Sequence, residues 1–451
     1  MNRGLLAALC LAAFLISGCS KNSGSSAPPD PGQVRIMNLI PDSPSLRGTL
    51  SGAQVATVSY GQASPEMSYK ASSGYDLLVS YTDQSVGSSV TVAENNSFNV
   101  SSNKVYTVIA TGALNSAKLS VISNDKIGDI VSGNTEVQFF NGNNVEGALD
   151  IYLSDNAASN SINGISPITL NVDANSALTT VASGDYRILI TKQGDPNIIY
   201  DSGKVTLSSQ TRRLFAVDDY FGPGGDIRVM EVNSQNSSTL PNEQFPTAVR
   251  IANMIPDVTS VDVLRDGVVM ASGVPFGSVS TYTNFTPCQC DFQVTMPGDP
   301  TTVLYDNIRQ TVAGESRTLV LAGNSATASV SGRFVLDDPR RIATGAKMRV
   351  VNASAGAGNL DVYFLVPGQD LTTAFNNNEQ AFSSFTLLTN GTTLLQARDY
   401  DVVFTRAGTN TIEVGPDRVT VANSGIYSIF VKDATGGGTP SSVTLADDFA
   451  P

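Results

Sequence analysis

Val34-Arg35-Ile36-Met37-Asn38 is the stretch on which the reading of this chain turns. It returns as VQFFN over Val137 to Asn141, VRIAN over Val249 to Asn253, and MRVVN over Met348 to Asn352. The asparagines at 38, 141, 253 and 352 are 103, 112 and 99 residues apart. Such a period is the length of one small domain, and a chain of 451 residues holds about four. Strand alternation places Val34, Ile36 and Asn38 on one face, so the asparagine lies on the core side at the strand's end. An amide there is suited to bonding loop backbone, which makes Asn38, Asn141, Asn253 and Asn352 a folding motif.

Nine residues after three of these asparagines stand Asp150, Asp262 and Asp361; the first repeat has Arg47 instead. The second motif position is Arg35, Arg250 and Arg349, with Gln138 in the second repeat. Arg250 with Asp262, and Arg349 with Asp361, are expected to pair across adjacent strands. An exposed pair of that kind contributes under about 1 kcal/mol.

Only 15% of residues are charged, while Ser, Thr, Asn, Gly and Val abound. That mixture favours short strands joined by turns. Each repeat offers about seven strand segments with turn signals between, one of them spanning 48–58. The expected fold is all-β: four tandem immunoglobulin-like, antiparallel β-sandwiches at 34–130, 135–232, 247–338 and 346–450. Residues 233–246 read as a polar linker, and no significant helix is expected outside the N-terminal segment. The chain has no Trp and no cysteine pair to bridge two sheets, so the likeness to antibody domains is architectural.

The motif [VM]-[RQ]-x-x-N, the loops Pro41-Asp42 and Pro256-Asp257, the Asp-[VI]-[YL] strands, and Gly74-Tyr75 and Asp185-Tyr186 resemble the bacterial domain of unknown function 4397. The resemblance runs from about Gln33 to Phe449. It implies a repeated β domain and carries no catalytic residues with it.

Residues 1–18 read as a signal peptide: Arg3, then an apolar run from Leu5 to Ile16 too short to span a bilayer. Leu15-Ile16-Ser17-Gly18-Cys19 resembles the lipobox of bacterial lipoproteins, which implies acylation of Cys19 by diacylglycerol and palmitate-type chains. Ser20 is not the aspartate of inner-membrane retention, so the resemblance implies an outer-membrane lipid anchor, facing the cell surface or the periplasm. Residues 19–33 form a Ser/Gly/Pro-rich tether.

The net charge is −13 and no Lys/Arg cluster occurs, so nucleic acid is not expected as a partner. Cys288 and Cys290 are the two cysteines outside the leader and lipobox. An exported chain permits a disulfide between them, with two free thiols as the alternative. No second cysteine pair completes a four-ligand metal site. Asp218-Asp219, Asp337-Asp338 and Asp447-Asp448 read as solvated turn carboxylates, with a calcium site as the alternative. The chain lacks histidine, which excludes His-based relays and His metal sites. The expectation is therefore non-catalytic, with no cofactor and no metal: a lipid-anchored envelope protein acting as an adhesive, scaffolding or spacer array. The alternative is a carbohydrate-binding or calcium-dependent recognition protein. The expected partners are the membrane, through the lipid, and an envelope protein or glycan.

Overall fold

The computed structural model describes residues 30–83, 87–438 and 442–447. The leader, Cys19, most of the tether and Asp448 lie outside the described residues. The chain folds as four two-sheet sandwiches, each opening on one copy of the repeated strand.

In the first module, Gly32–Asn38, Lys104–Thr111 and Lys118–Asp125 form one sheet, extended by the short Gln62–Ala63 and Met67–Tyr69. Leu46–Leu50, Ala53–Val58, Ser72–Asp83 and Ser88–Val100 form the other. The segment expected as one strand over 48–58 is a hairpin. Ser51 and Gly52 adopt φ of 46° and 83°, the left-handed pair that a two-residue hairpin turn requires.

The sandwiches are not purely antiparallel, contrary to the expectation. In every module the opening strand runs parallel to the first strand of a late hairpin: Ile36 faces Val108, Phe139 faces Phe215, Ile251 faces Leu319 and Val350 faces Ile429. A parallel neighbour needs a long crossover, and the excursion through the second sheet supplies it. Val34 and Ile36, with their counterparts Val137, Phe139, Val249, Ile251, Met348 and Val350, point into the four sandwich cores.

Residues 233–246 are not a free linker. Ser237–Leu240 pairs antiparallel with Ile227–Val232 and widens the second module's opening sheet. Asn242 and Phe245 are buried. The Asn242 side chain accepts from the Asp201 N–H at 3.1 Å and donates to the Ile199 carbonyl at 3.0 Å, which fastens this stretch to the second module. Helix is confined, among the described residues, to Leu371–Asn376 and a 3-10 turn at Leu114–Ser116.

The modules do not string out in a row. The outward face of each opening sheet carries an apolar patch that its neighbour covers. Met37, Leu39, Ile109 and Ile122 of the first module form one buried cluster with Phe140, Leu214, Ala216, Met230 and Val232 of the second. Ala252, Met254, Val320, Ala322 and Val335 of the third do the same with Val351, Ala353, Leu388 and Phe430 of the fourth. The chain is thus two face-to-face pairs, each with a closed seam.

A detail of capping marks the pairs as repeats of one design. In the first and third modules an aspartate after the opening strand holds the loop before the last strand: Asp42 accepts from Leu114 N–H at 2.8 Å, and Asp257 from Ser325 N–H at 3.0 Å. In the second and fourth the aspartate sits on the other side of that contact. Asp219 accepts from Asn144 N–H at 2.8 Å, and Asp433 from Ala355 N–H at 3.2 Å.

Candidate functional site

The repeated asparagines all end their strands buried, at 0 to 1% exposure. Each side-chain oxygen accepts the N–H two residues on: Ile40, Asn143, Ile255 and Ser354. In three modules the amide also donates across the sandwich, to the carbonyls of Leu170, Val274 and Phe385 at 2.9–3.0 Å. Asn38 donates instead to the Ser43 hydroxyl. The amides of Asn141, Asn253 and Asn352 thus join the two sheets at the point where the chain leaves the first, and that of Asn38 fastens the loop that follows.

The aspartates collect turn amides. Asp150 accepts from Gly194 N–H at 2.9 Å, Asp262 from Gly298 N–H at 2.9 Å, and Asp361 from Gly408 N–H at 2.7 Å. The N–H of Gly298 and its fellow donors hold the Asp262 carboxyl below the usual aspartate range. The expected Arg250–Asp262 and Arg349–Asp361 pairs do not form, because successive strand positions face opposite ways and the arginines point into the seams. Arg35, Arg250 and Arg349 each donate through Nε to a hydroxyl on the parallel neighbour: Thr107, Thr318 and Ser428. Arg35 then reaches the Asn233 carbonyl of the second module at 2.6 Å, and Arg349 pairs with Asp337 of the third.

The acidic pairs also depart from the expectation of solvated turns. Asp218, Asp219 and Asp337 are buried, and each has partners. Burial by neighbouring modules, which a single repeat cannot reveal, accounts for the difference. Asp338 is exposed, its side chain at 57%.

Three modules converge on these carboxylates. Tyr60 of the first module donates to the Asp219 carbonyl at 2.5 Å. The guanidiniums of Arg228 and Arg340, from the second module and the exit of the third, lie 4.7 and 4.9 Å from its ring centre. Arg228 pairs with Asp218 at 2.9 Å, and Arg340 donates to the carbonyls of Pro41 and Ser43 at 3.0 and 2.6 Å. Burial pushes the Asp218 carboxyl up to about 6 against the pull of Arg228. Burial, with Asp218 adding to it, raises the Tyr60 phenol well above its ordinary value.

A cleft of about 440 Å³ opens at this junction. Tyr60, Tyr220 and Phe221 line one part, and Glu315, Leu336, Asp338 and Arg340 another. It continues past Tyr220 toward Phe245, whose ring stacks on Tyr220 at 5.7 Å. Sequence reasoning missed Tyr60, Arg228 and Arg340, since no local motif links residues so far apart.

Cys288 and Cys290 are joined in a disulfide at the start of Gln289–Met296, with Cys290 fully buried in the third core. Among the described residues one group brings potential metal ligands together: these two sulfurs and Asp266, within 4.8 Å of one another. The disulfide occupies both sulfurs, so the group as it stands offers no thiolate.

A family model described as "Domain of unknown function (DUF4397)" matches residues 32–152 and 247–363, together more than half of the chain. Each match covers one odd-numbered module and continues through the opening strand of its seam partner. No curated protein matches the sequence. Eighteen solved chains match the structure. One is the Bacillus anthracis TIE protein, at 10% identity and a TM-score of 0.15, covering 86% of this chain and 66% of that one. Another is the family CBM26 module CBMbc of Eubacterium rectale Amy13K, solved with maltoheptaose, at 12% identity and a TM-score of 0.17. It covers 46% of this chain and 98% of that one. Neither likeness carries an argument about function.

Proposed function

We propose that this chain, which belongs to the DUF4397 family, is a non-catalytic, lipid-anchored protein of the cell envelope that serves as a rigid scaffold for adhesion or display. The observation that carries the reading is the pair of closed seams. Four beads on flexible links would act by reach alone. Modules locked face to face, and tied to each other through Tyr60 and Arg340, present their outer sheets and loops in fixed relation. Acylation at Cys19 of the outer-membrane type would hold the block by one end. A Ser/Gly/Pro-rich stretch of the length between that cysteine and Gly32 would reach on the order of 20 Å if it behaved as a flexible linker. No helix among the described residues is long and apolar enough to cross a membrane.

Small-angle X-ray scattering tests the scaffold. A compact body of this length has a radius of gyration of about 22–26 Å, against roughly 40 Å for four modules in a row. The larger value overturns the reading. Membrane fractionation of Cys19→Ala tests the anchor: the variant should leave the membrane, and retention in high salt refutes acylation.

A further inference from the structure

We propose that the cleft where the first three modules meet binds a neutral oligosaccharide. The proposal goes beyond the scaffold reading and needs only the observed junction, not the lipid. The cleft lies between modules and its volume of about 440 Å³ falls in the range of ligand sites. Its walls combine two kinds of surface. Phe221, 42% exposed, supplies an open aromatic ring beside Tyr220, while Tyr60, its ring already taken by Arg228 and Arg340, forms part of the wall; Phe139, Phe140, Phe215, Phe292, Phe404 and Phe430 are fully buried. Asp338, Glu315 and the Thr239 hydroxyl supply hydrogen-bonding groups.

A pyranose presents that same combination: an apolar C–H face and a rim of hydroxyls. Rings take the face, and carboxylates accept from the hydroxyls. Asp338 uses one oxygen on the Arg340 N–H and the other on Lys347, which leaves acceptor capacity on each. The arginines do not make this an anion site. Arg228 is committed to Asp218 and to the Tyr60 ring, and Arg340 to the Pro41 and Ser43 carbonyls and the same ring. The carboxylates at the opening are paired in turn, Glu315 with Arg317 and Asp338 with Lys347, so the cations here are already committed, which disfavours a polyanionic glycan. Tyr60 is fixed on both its ring and its hydroxyl before any ligand arrives, so little side-chain freedom is lost on binding.

The test is affinity electrophoresis of the full chain in detergent. The gels contain soluble starch, mixed-linkage β-glucan, galactomannan or xyloglucan, with alginate and polygalacturonate as anionic counterparts. At least one neutral polymer should retard the protein. Titration calorimetry with the hexasaccharide of that polymer then compares variants. Phe221→Ala and Asp338→Asn should each weaken binding about tenfold or more, the loss expected of one anchor in a contact surface. Ile308→Ala, on an exposed edge strand of the third module, should leave it unchanged. Circular dichroism confirms that each variant is folded. Unaltered mobility in every neutral gel overturns the proposal. So does retardation by the anionic polymers alone, or binding that survives both cleft substitutions.

Discussion

Replacing Phe430 by alanine asks directly whether the fourth module's sheet is covered. On an isolated sandwich this side chain would stand on the solvent face, and its loss would change stability by no more than about 0.5 kcal/mol. In the structure Phe430 is fully buried, in contact with a cluster drawn from two modules that includes Val320, Ala252, Val351 and Leu388. Those neighbours belong to strands held by their own ladders, so the hole cannot readily collapse. Truncation of such a phenylalanine costs about 3–5 kcal/mol. Phe430→Leu keeps most of the volume and should cost under about 1.5 kcal/mol. Urea unfolding of the full chain, followed by far-ultraviolet circular dichroism and tyrosine fluorescence, reads the effect. With a slope of about 2–3 kcal/mol per molar urea, the affected transition should move down by about 1–2.5 M. A shift no larger than that of Phe430→Leu would refute the seam.

Three further outcomes follow from the same contacts. Asn352→Ala strips partners from the Ser354 N–H and the Gly358 and Phe385 carbonyls, and should cost about 2–3 kcal/mol; an unchanged melting temperature would contradict the clamp. A fragment of residues 247–451 should fold as a soluble pair, whereas 247–338 exposes Ala252, Val320 and Val335 and should self-associate in sedimentation; a monomeric, fully folded single module would count against obligate pairing. Asp218 titrates near 6 in the native protein against 3.8 in an unfolded chain, so the native state retains a proton that the unfolded state releases between those values. Its contribution therefore falls as pH rises through that window. Asp218→Asn should flatten the decline of melting temperature from about pH 4 to pH 6, and identical slopes for both proteins would refute the assignment.

The alternation in Val34, Ile36 and Asn38 was enough to find the four cores, because those contacts lie within one repeat. The other face of the same strand also carried a signal. Met37, Phe140, Ala252 and Val351 are all apolar, though they share their face with Arg35, Gln138, Arg250 and Arg349, and apolar residues on a strand's outer face point to a second cover. What the sequence did not contain was the identity of the cover, since the seam joins sheets about a hundred residues apart. Arg35 and Arg349 show the same limit. Arg349 is expected to meet Asp361 and turns instead to Asp337, while Arg35, whose repeat has Arg47 in the aspartate's place, turns to Asn233 and Glu66. Asp218 looked like a turn residue until the first module's Tyr60 closed over it. The Cys288–Cys290 bridge was legible as one of two options because both residues lie on one local segment.

The two seams are filled differently, and this bears on how the chain assembles. In the second module the large ring is Phe140 and its parallel neighbour is the small Ala216; in the fourth the small member is Val351 and the ring is Phe430. The facing modules differ too, with Met37 and Ile109 in one and Ala252 and Val320 in the other. Crossed partners would set bulk against bulk in one contact and leave a void in the other, at about 1–3 kcal/mol or more each. Four look-alike domains on one chain are prone to joining in the wrong combination as they emerge. Here the shape of each contact acts as a key cut for one lock, so the first two modules can close on each other while the last two are still being made.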